Sequence, residues 1–452
     1  MKIIVIGCGK VGRKIVEELC DENNDVTVID LKKQVVSDVT SSFDAMGVVG
    51  NGTNHLVLKE ANIENTDLLI AVTQSDELNL LCCLIAKKAG NCSTIARVRN
   101  PMYNNDISYI KEELGLTMTI NPEEAAATEI ARILRFPSAN KIETFAKGKV
   151  ELLKFTVDSK SIMLGNSLEE FASKLSSNVL ICAIERGEDV FIPNGQFVFM
   201  ENDIVTIVGS PKDAKNFFKK LGIKTHSVKN AFLVGGGKIA YYLSKNLLSM
   251  GIKVKIFERN RERCEELSEL LPEAVIINAD ATDKEVLREE GLEGSAESFV
   301  ALTGIDEANI FLSLYAKKKS KAKVVTKINR VEDNDIVNDF NLGSVISPKL
   351  LTAEYILRYV RAKQNTIGSN VETLYRIIEN KAEALEFHIC EGAPVIGIPL
   401  EKLRLKDNLI IASVNHKGKI ITPNGQTLIN VGDTVVVVTT QKNLNDIKDI
   451  LL

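Results

Sequence analysis

A chain of 452 residues is too long for one ordinary core, so two to four domains are expected. Its 56 Lys and Arg against 60 Asp and Glu give a formal net charge of −4, with no basic excess to line a nucleic-acid groove. Charged and apolar fractions of 26% and 45% are those of a soluble protein, and no stretch reaches the roughly 18 apolar residues that span a bilayer.

The chain opens on a short apolar strand near residues 2–6. A glycine-rich turn follows at once, so this run does not read as a secretory leader and the chain is expected to stay in the cytoplasm. The turn is Gly7-Cys8-Gly9-Lys10-Val11-Gly12, and a helix follows it. The first glycine permits the tight turn, the second lets backbone approach a pyrophosphate, and the third brings helix and strand together. The free N–H groups of the helix start then face the anion. Asp30 ends the next strand, eighteen residues after Gly12. A carboxylate there accepts from both ribose hydroxyls and repels a 2′-phosphate, which favours NAD(H) or another adenine nucleotide over NADP(H).

Further strands are expected near 45–49, 68–72, 94–98 and 117–120, with a helix over 75–89. The runs are β-branched and nearly continuous, the pattern of buried parallel strands in a doubly wound α/β domain. Loops beyond the strand ends carry Asn51, Gly52 and Thr53, then Thr73, Gln74, Asp76, Glu77 and Asn79, then Arg97. Ligands of open α/β sheets bind in that crevice, where Lys10 or Arg97 could face phosphates. Asp76 is read as capping or opening the helix after it, and Cys82-Cys83 as helical core. Asn121-Pro122-Glu123-Glu124 signals a helix start, with Ile130, Ile133 and Leu134 on its apolar side.

The segments 151–158, 186–196 and 201–209 then alternate and turn like a small α+β module, with Asn-Gly pairs marking hairpins. After it the chain repeats itself. Gly7 and Gly235 are 228 apart, as are Asp30 and Glu258; "AVTQSDELN" returns as "ALTGIDEAN" and "IPNGQ" as "TPNGQ", both 230 later. The second copy offers Gly235, Gly236, Gly237, Lys238 and Ile239, then Glu258, then Asp280, Ala281 and Thr282, then Thr303, Asp306, Glu307 and Asn309, then Lys327. Ala240 stands for the third glycine, and Asp306 is read like Asp76. Ser347-Pro348 starts the second exit helix, with Leu351, Tyr355 and Ile356 apolar. The expected domains are 1–140 and 226–365, Rossmann-like parallel sheets, and 141–225 and 366–452, small α+β units.

Eight Cys without a CxxC pair read as free thiols, with no zinc site. The four His, at 55, 226, 388 and 416, fall in no catalytic pattern, so no enzyme is expected.

"VIGCGKVG", Asp30, "AVTQSDELN", "ARVRNPMY" and "INPEEAAATEIAR", in tandem with a small module after each copy, resemble the regulator-of-potassium-conductance family of bacterial Trk-type potassium uptake systems. The resemblance covers the whole chain. It implies a homo-oligomer, dimer or tetramer, forming a ring on the inner face of the cell membrane beneath a TrkH-like potassium-translocating subunit. NAD(H), with ATP or ADP as alternatives, would bias the ring and gate transport. The family's Asp after the third strand is kept as Asp280 but replaced by Asn51. Its second arginine in "ARVRN" is missing from "TKINR". An NAD-dependent oxidoreductase and a regulator of another channel are the other readings, and a cyclic dinucleotide in the small modules stays open.

Overall fold

The computed structural model describes residues 1–105, 107–135, 141–145, 150–175, 178–222, 228–329, 342–365, 371–378, 381–441, 444 and 446–452. The expected junction residues 140, 225, 226 and 366, and His226, lie outside them.

The first α/β part runs β1 Lys2–Ile6, α1 Lys10–Asp21, β2 Asp25–Asp30, α2 Lys33–Ser42, β3 Ala45–Val49, α3 His55–Glu60, β4 Leu68–Ala71, α4 Asp76–Gly90, β5 Ser93–Arg97, α5 Pro101–Asn105, α6 Ile107–Glu113, β6 Met118–Ile120 and α7 Pro122–Arg135. Its six strands are parallel in the order β3-β2-β1-β4-β5-β6. That is the Rossmann order, with its switch point between β1 and β4. The central strands are buried on both faces, all four residues of β4 included, which is why they read as unbroken apolar runs. Cys82 and Cys83 are fully buried in α4, as expected.

A small module follows: β7 Lys141–Phe145, β8 Val150–Thr156, α8 Leu168–Leu175, β9 Leu180–Arg186, β10 Asp189–Phe191, β11 Ile204–Gly209 and α9 Pro211–Lys220. The sheet is antiparallel, ordered β10-β9-β11-β8-β7. Phe155, Phe171, Phe199, Phe217 and Phe218 fill its core edge to face.

The second α/β part repeats the first: β12 Asn230–Val234, α10 Lys238–Ser249, β13 Lys253–Glu258, α11 Arg261–Leu270, β14 Val275–Asn278, α12 Lys284–Glu289, β15 Ser298–Ala301, α13 Asp306–Lys319, β16 Lys323–Lys327, β17 Ser344–Ile346 and α14 Pro348–Asn365. Its strand order, β14-β13-β12-β15-β16-β17, is the same, and again parallel. The last module holds β18 Val371–Ile378, β19 Ala382–His388, β20 Leu409–His416, β21 Lys419–Ile421 and β22 Thr434–Thr439, antiparallel in the order β18-β19-β22-β20-β21. Where the first module has α8, the second has a 3-10 turn, Leu400–Lys402, behind Gly397 and Pro399.

The chain gathers into two compact units by kind, not by order. One joins Met1–Ala131 with Lys229–Leu357; the other joins Arg132–Val228 with Arg358–Leu452. Within the second unit the two small modules share an apolar core of Val150, Leu152, Cys182, Val208, Ala384 and Val436, among others.

Two sequence expectations need correction. The Asn-Gly pairs do not make the hairpins. The β9–β10 turn is Gly187-Glu188 and the β20–β21 turn is Lys417-Gly418, where Lys417 and Gly418 both have positive φ (47° and 88°). That conformation suits a two-residue hairpin. Asn194 and Asn424 instead bend their own loops, accepting from the Gln196 and Gln426 amides. In α14, Leu351 and Tyr355 are only half-buried; the core face is Ala353, Ile356, Leu357 and Val360. In α7, Ile130, Ile133 and Leu134 are buried as expected.

Candidate nucleotide site

Both glycine turns begin in the left-handed region, Gly7 at φ 93° and Gly235 at φ 103°. Gly7 N–H donates to the Ile29 carbonyl at 2.9 Å and Gly235 N–H to Phe257 at 2.8 Å, so each turn is stitched to the neighbouring strand. At Gly12 an added Cβ would lie 1.9 Å from the Gly7 carbonyl oxygen, so helix and turn approach as far as glycine alone allows. Ala240 fills that position in the second copy, fully buried.

Gly9 and Gly237 differ from the other turn glycines. A Cβ at either would meet nothing within 4 Å. Each is the N-cap of a twelve-residue helix with no side-chain cap, in extended backbone any residue could adopt. The glycine is therefore not needed to make the turn; it leaves space over an uncapped helix start, where an anion can sit. Lys10 and Lys238 are exposed beside it, Val11 is half-buried and Ile239 buried.

The acids are held by the turns they face. Asp30 Oδ2 accepts from Cys8 N–H at 2.9 Å and Oδ1 from Lys32 N–H at 3.0 Å. Glu258 does the same, with Gly236 N–H at 2.7 Å and Asn260 N–H at 2.8 Å. Each oxygen keeps a second lone pair, so the carboxylates are oriented yet can still accept from hydroxyls. Burial and Asp30 push the Cys8 thiol up to about 12, so it is not a thiolate at neutral pH. In the second copy Arg263 Nε also donates to the Gly236 carbonyl at 2.7 Å; Val35 occupies its repeat position.

After β3, Asn51 Oδ1 accepts from Thr53 N–H and Oγ1 at 3.1 and 3.0 Å. Asp280 accepts from Thr282 in the same way at 2.9 and 2.7 Å, which holds its carboxyl below the usual range. The amide thus keeps the loop that the acid makes. Gly52 is buried against Ile6 and Cys82, a packing position that Ala281 fills in the other copy.

The loops after β4 and β15 depend on two asparagines that the sequence marks as recurring beyond the strand ends, and the structure makes them anchors of the loop. Asn79 Oδ1 accepts from Thr73 N–H at 2.8 Å and Oγ1 at 2.7 Å; its Nδ2 donates to the Thr73 and Arg97 carbonyls. Asn309 repeats all four bonds with Thr303 and Lys327. Both are fully buried. An asparagine one turn into each helix, kept at the same repeat offset, is the sequence signal that marks them; their loop-anchoring bonds come from the tertiary structure. Gln74 is exposed nearby.

Arg97 and Lys327 are buried at the ends of β5 and β16. Arg97 is 8% exposed and donates from Nη2 to the Thr73 carbonyl; Lys327 is 9% exposed and donates to the Leu302 carbonyl at 3.2 Å. Burial lowers the pKa of both. Asp76 and Asp306 open their helices, but their carboxylates cap neither. Ser75 caps α4, while Asp76 Oδ2 accepts from Arg99 and Asn100 N–H, both at 2.8 Å. Asp306 accepts from Asn329 N–H at 3.0 Å. These acids pin the loop after the next strand.

No group of three or more metal-ligating side chains was found among the described residues, and no described helix is long and apolar enough to cross a membrane.

Residues 3–122 and 231–348 match the TrkA-N domain family, and residues 152–222 and 385–452 the TrkA-C domain family. The Trk system potassium uptake protein TrkA homolog 1 of Methanosarcina mazei is 32% identical over 445 residues, 97% of each chain. It is named for potassium uptake, not for a catalysed reaction. Among solved structures, the GsuK channel bound to NAD aligns with TM-score 0.64 at 16% identity, over 98% of this chain and 77% of that one. GsuK bound to ADP aligns with TM-score 0.52 at 15% identity, over 80% and 69%.

Proposed function

Because the chain belongs to the TrkA family, we propose that it regulates potassium uptake, binding an adenine nucleotide at each glycine turn and gating a TrkH-like membrane translocase from the inner face. The observation that carries the nucleotide reading is the open space over Gly9 and Gly237, at uncapped helix starts, with Asp30 and Glu258 oriented beside them. NAD(H) fits both sites, since either acid would face the 2′-phosphate of NADP(H). ATP or ADP presents the same ribose and phosphates. GsuK, of the same fold, is bound to NAD in one structure and to ADP in another.

A regulator must pass occupancy to its partner, and a ligand shifts an equilibrium only by its differential affinity for two states. The boundaries between the compact units fall inside α7 and α14, so these helices connect nucleotide domain to small module. A ring of several chains fits the repeated exposure of Leu81 (45%) and Phe311 (74%), which occupy the same position of the two copies.

The test is paired. Nucleotide affinity and potassium flux are measured in vesicles carrying the translocase, for wild type and for the double variant Ile133→Ala, Ile356→Ala. Flux control should fall while nucleotide binding survives. An unchanged flux response removes the helices from the mechanism, and turnover of NADH with a small substrate overturns the regulatory reading.

A further inference from the structure

The two copies of the nucleotide domain do not treat their exit helices alike. In the first copy, Asn121 caps α7, its Oδ1 accepting from the Glu123 and Glu124 amides at 3.1 Å each. Its Nδ2 donates at 3.0 Å to the hydroxyl of Tyr242, which lies on α10 of the second copy. That hydroxyl in turn points at the Arg99 carbonyl, 3.5 Å away. Tyr242 is 6% exposed, and burial raises its pKa to about 12. Arg99 completes the knot: its amide is held by Asp76 and its guanidinium by Glu123 of the first turn of α7.

Among the described residues the same bonds do not recur in the reverse direction. The repeat positions of Tyr242, Asn121, Arg99 and Glu123 are Lys14, Ser347, Asn329 and Lys349. Lys14 pairs with Glu17 and Glu18 of its own helix at 3.1 and 3.0 Å. Ser347 Oγ is buried with no partner.

We propose that the start of α7 is a common receiver for both nucleotide sites. Asp76 and Arg99 report from the first site. The α10 helix, which begins at Gly237, reports from the second through Tyr242. Occupancy of the second turn is therefore read at the exit helix of the first copy. This rests on the proposed nucleotide reading of the second turn. Its physical basis is short and rigid: a ligand at the α10 N-terminus moves that helix as a body, and Tyr242 sits one turn in. The buried tyrosine–asparagine bond transmits the shift because breaking it leaves a buried donor unpaired.

The experiment uses the full chain carrying Gly9→Val, so that nucleotide binds only at the second turn. Binding of NADH and of ADP is followed by calorimetry, and amide exchange of residues 123–131 by mass spectrometry. Nucleotide should slow exchange in α7 by about fivefold, the effect of one net hydrogen bond. Adding Tyr242→Phe should remove that response without weakening binding. Asn121→Ser, which keeps a capping side chain and leaves Tyr242 untouched, should do the same, and so covers the case in which the phenylalanine variant misfolds. Undiminished protection in both variants, with nucleotide bound, overturns the coupling and leaves the site reading intact. Absence of any binding in the Gly9→Val chain overturns the nucleotide reading of the second turn, and the coupling with it.

Discussion

The first copy meets its exit helix with charge and an amide: Arg99 clamps Glu123, and Asn121 reaches across to Tyr242. The second copy has Asn329, Ser347 and Lys349 at the repeat positions. Around the glycine turns the same two copies are nearly superimposable in chemistry, down to the four bonds of Asn79 and Asn309. Duplication has thus kept what shapes the ligand site and let go of what connects it. A site tolerates little change, because several backbone groups converge on each anchoring side chain. A connection between copies need exist only once.

The largest expected effect tests the part that is kept. Asn79→Ala strands the Thr73 amide and two carbonyls in the interior, and should cost about 3 kcal/mol or more. Asn309→Ala should cost the same. Thermal unfolding of the full chain checks both, and a gap beyond about 1 kcal/mol would break the equivalence of the copies.

The third glycine comes next. Gly12→Ala drives a Cβ into the Gly7 carbonyl and should destabilise by about 1–3 kcal/mol. Ala240→Gly removes a buried methyl and adds the helix cost of glycine, about 2 kcal/mol together. A gain in stability from Gly12→Ala would mean that the turns are packed alike after all.

Asp30→Ala and Glu258→Ala should each weaken nucleotide binding at their own site by about 1–3 kcal/mol, read by titration of chains with the other turn blocked. Tighter binding of NADP after either change would sharpen the assignment; unchanged NAD affinity would remove the acid from the site.

The smallest effect is expected of Asn51→Asp, which converts the first loop to the second. Since both residues accept from the threonine two positions on, stability should move by less than about 0.5 kcal/mol. A larger shift in thermal midpoint would show that the loops differ beyond this residue.

The sequence by itself determined the duplication, the parallel sheets and the glycine–acid pairing. Those follow from local rules: fully buried strands are apolar throughout, a turn residue at strongly positive φ favours glycine, and a strand-end acid lies a fixed distance from the turn. Tertiary structure decided what distant groups share. Arg97 and Lys327 looked exposed enough to meet phosphate, yet each is buried and donates to a carbonyl beside its own sheet. Asp76 opens its helix as one of the two sequence readings had it, but its carboxylate binds amides 23 and 24 residues on. The Asn-Gly pairs looked like hairpin turns, but register put the turns at Gly187 and Gly418. Tyr242, a half-apolar residue in an amphipathic helix, carries no local sign that it reaches Asn121, 121 positions away. Periodicity records which face of an element is buried. It does not record which buried polar group lies opposite, because that is fixed only when two elements far apart in the chain close on one another.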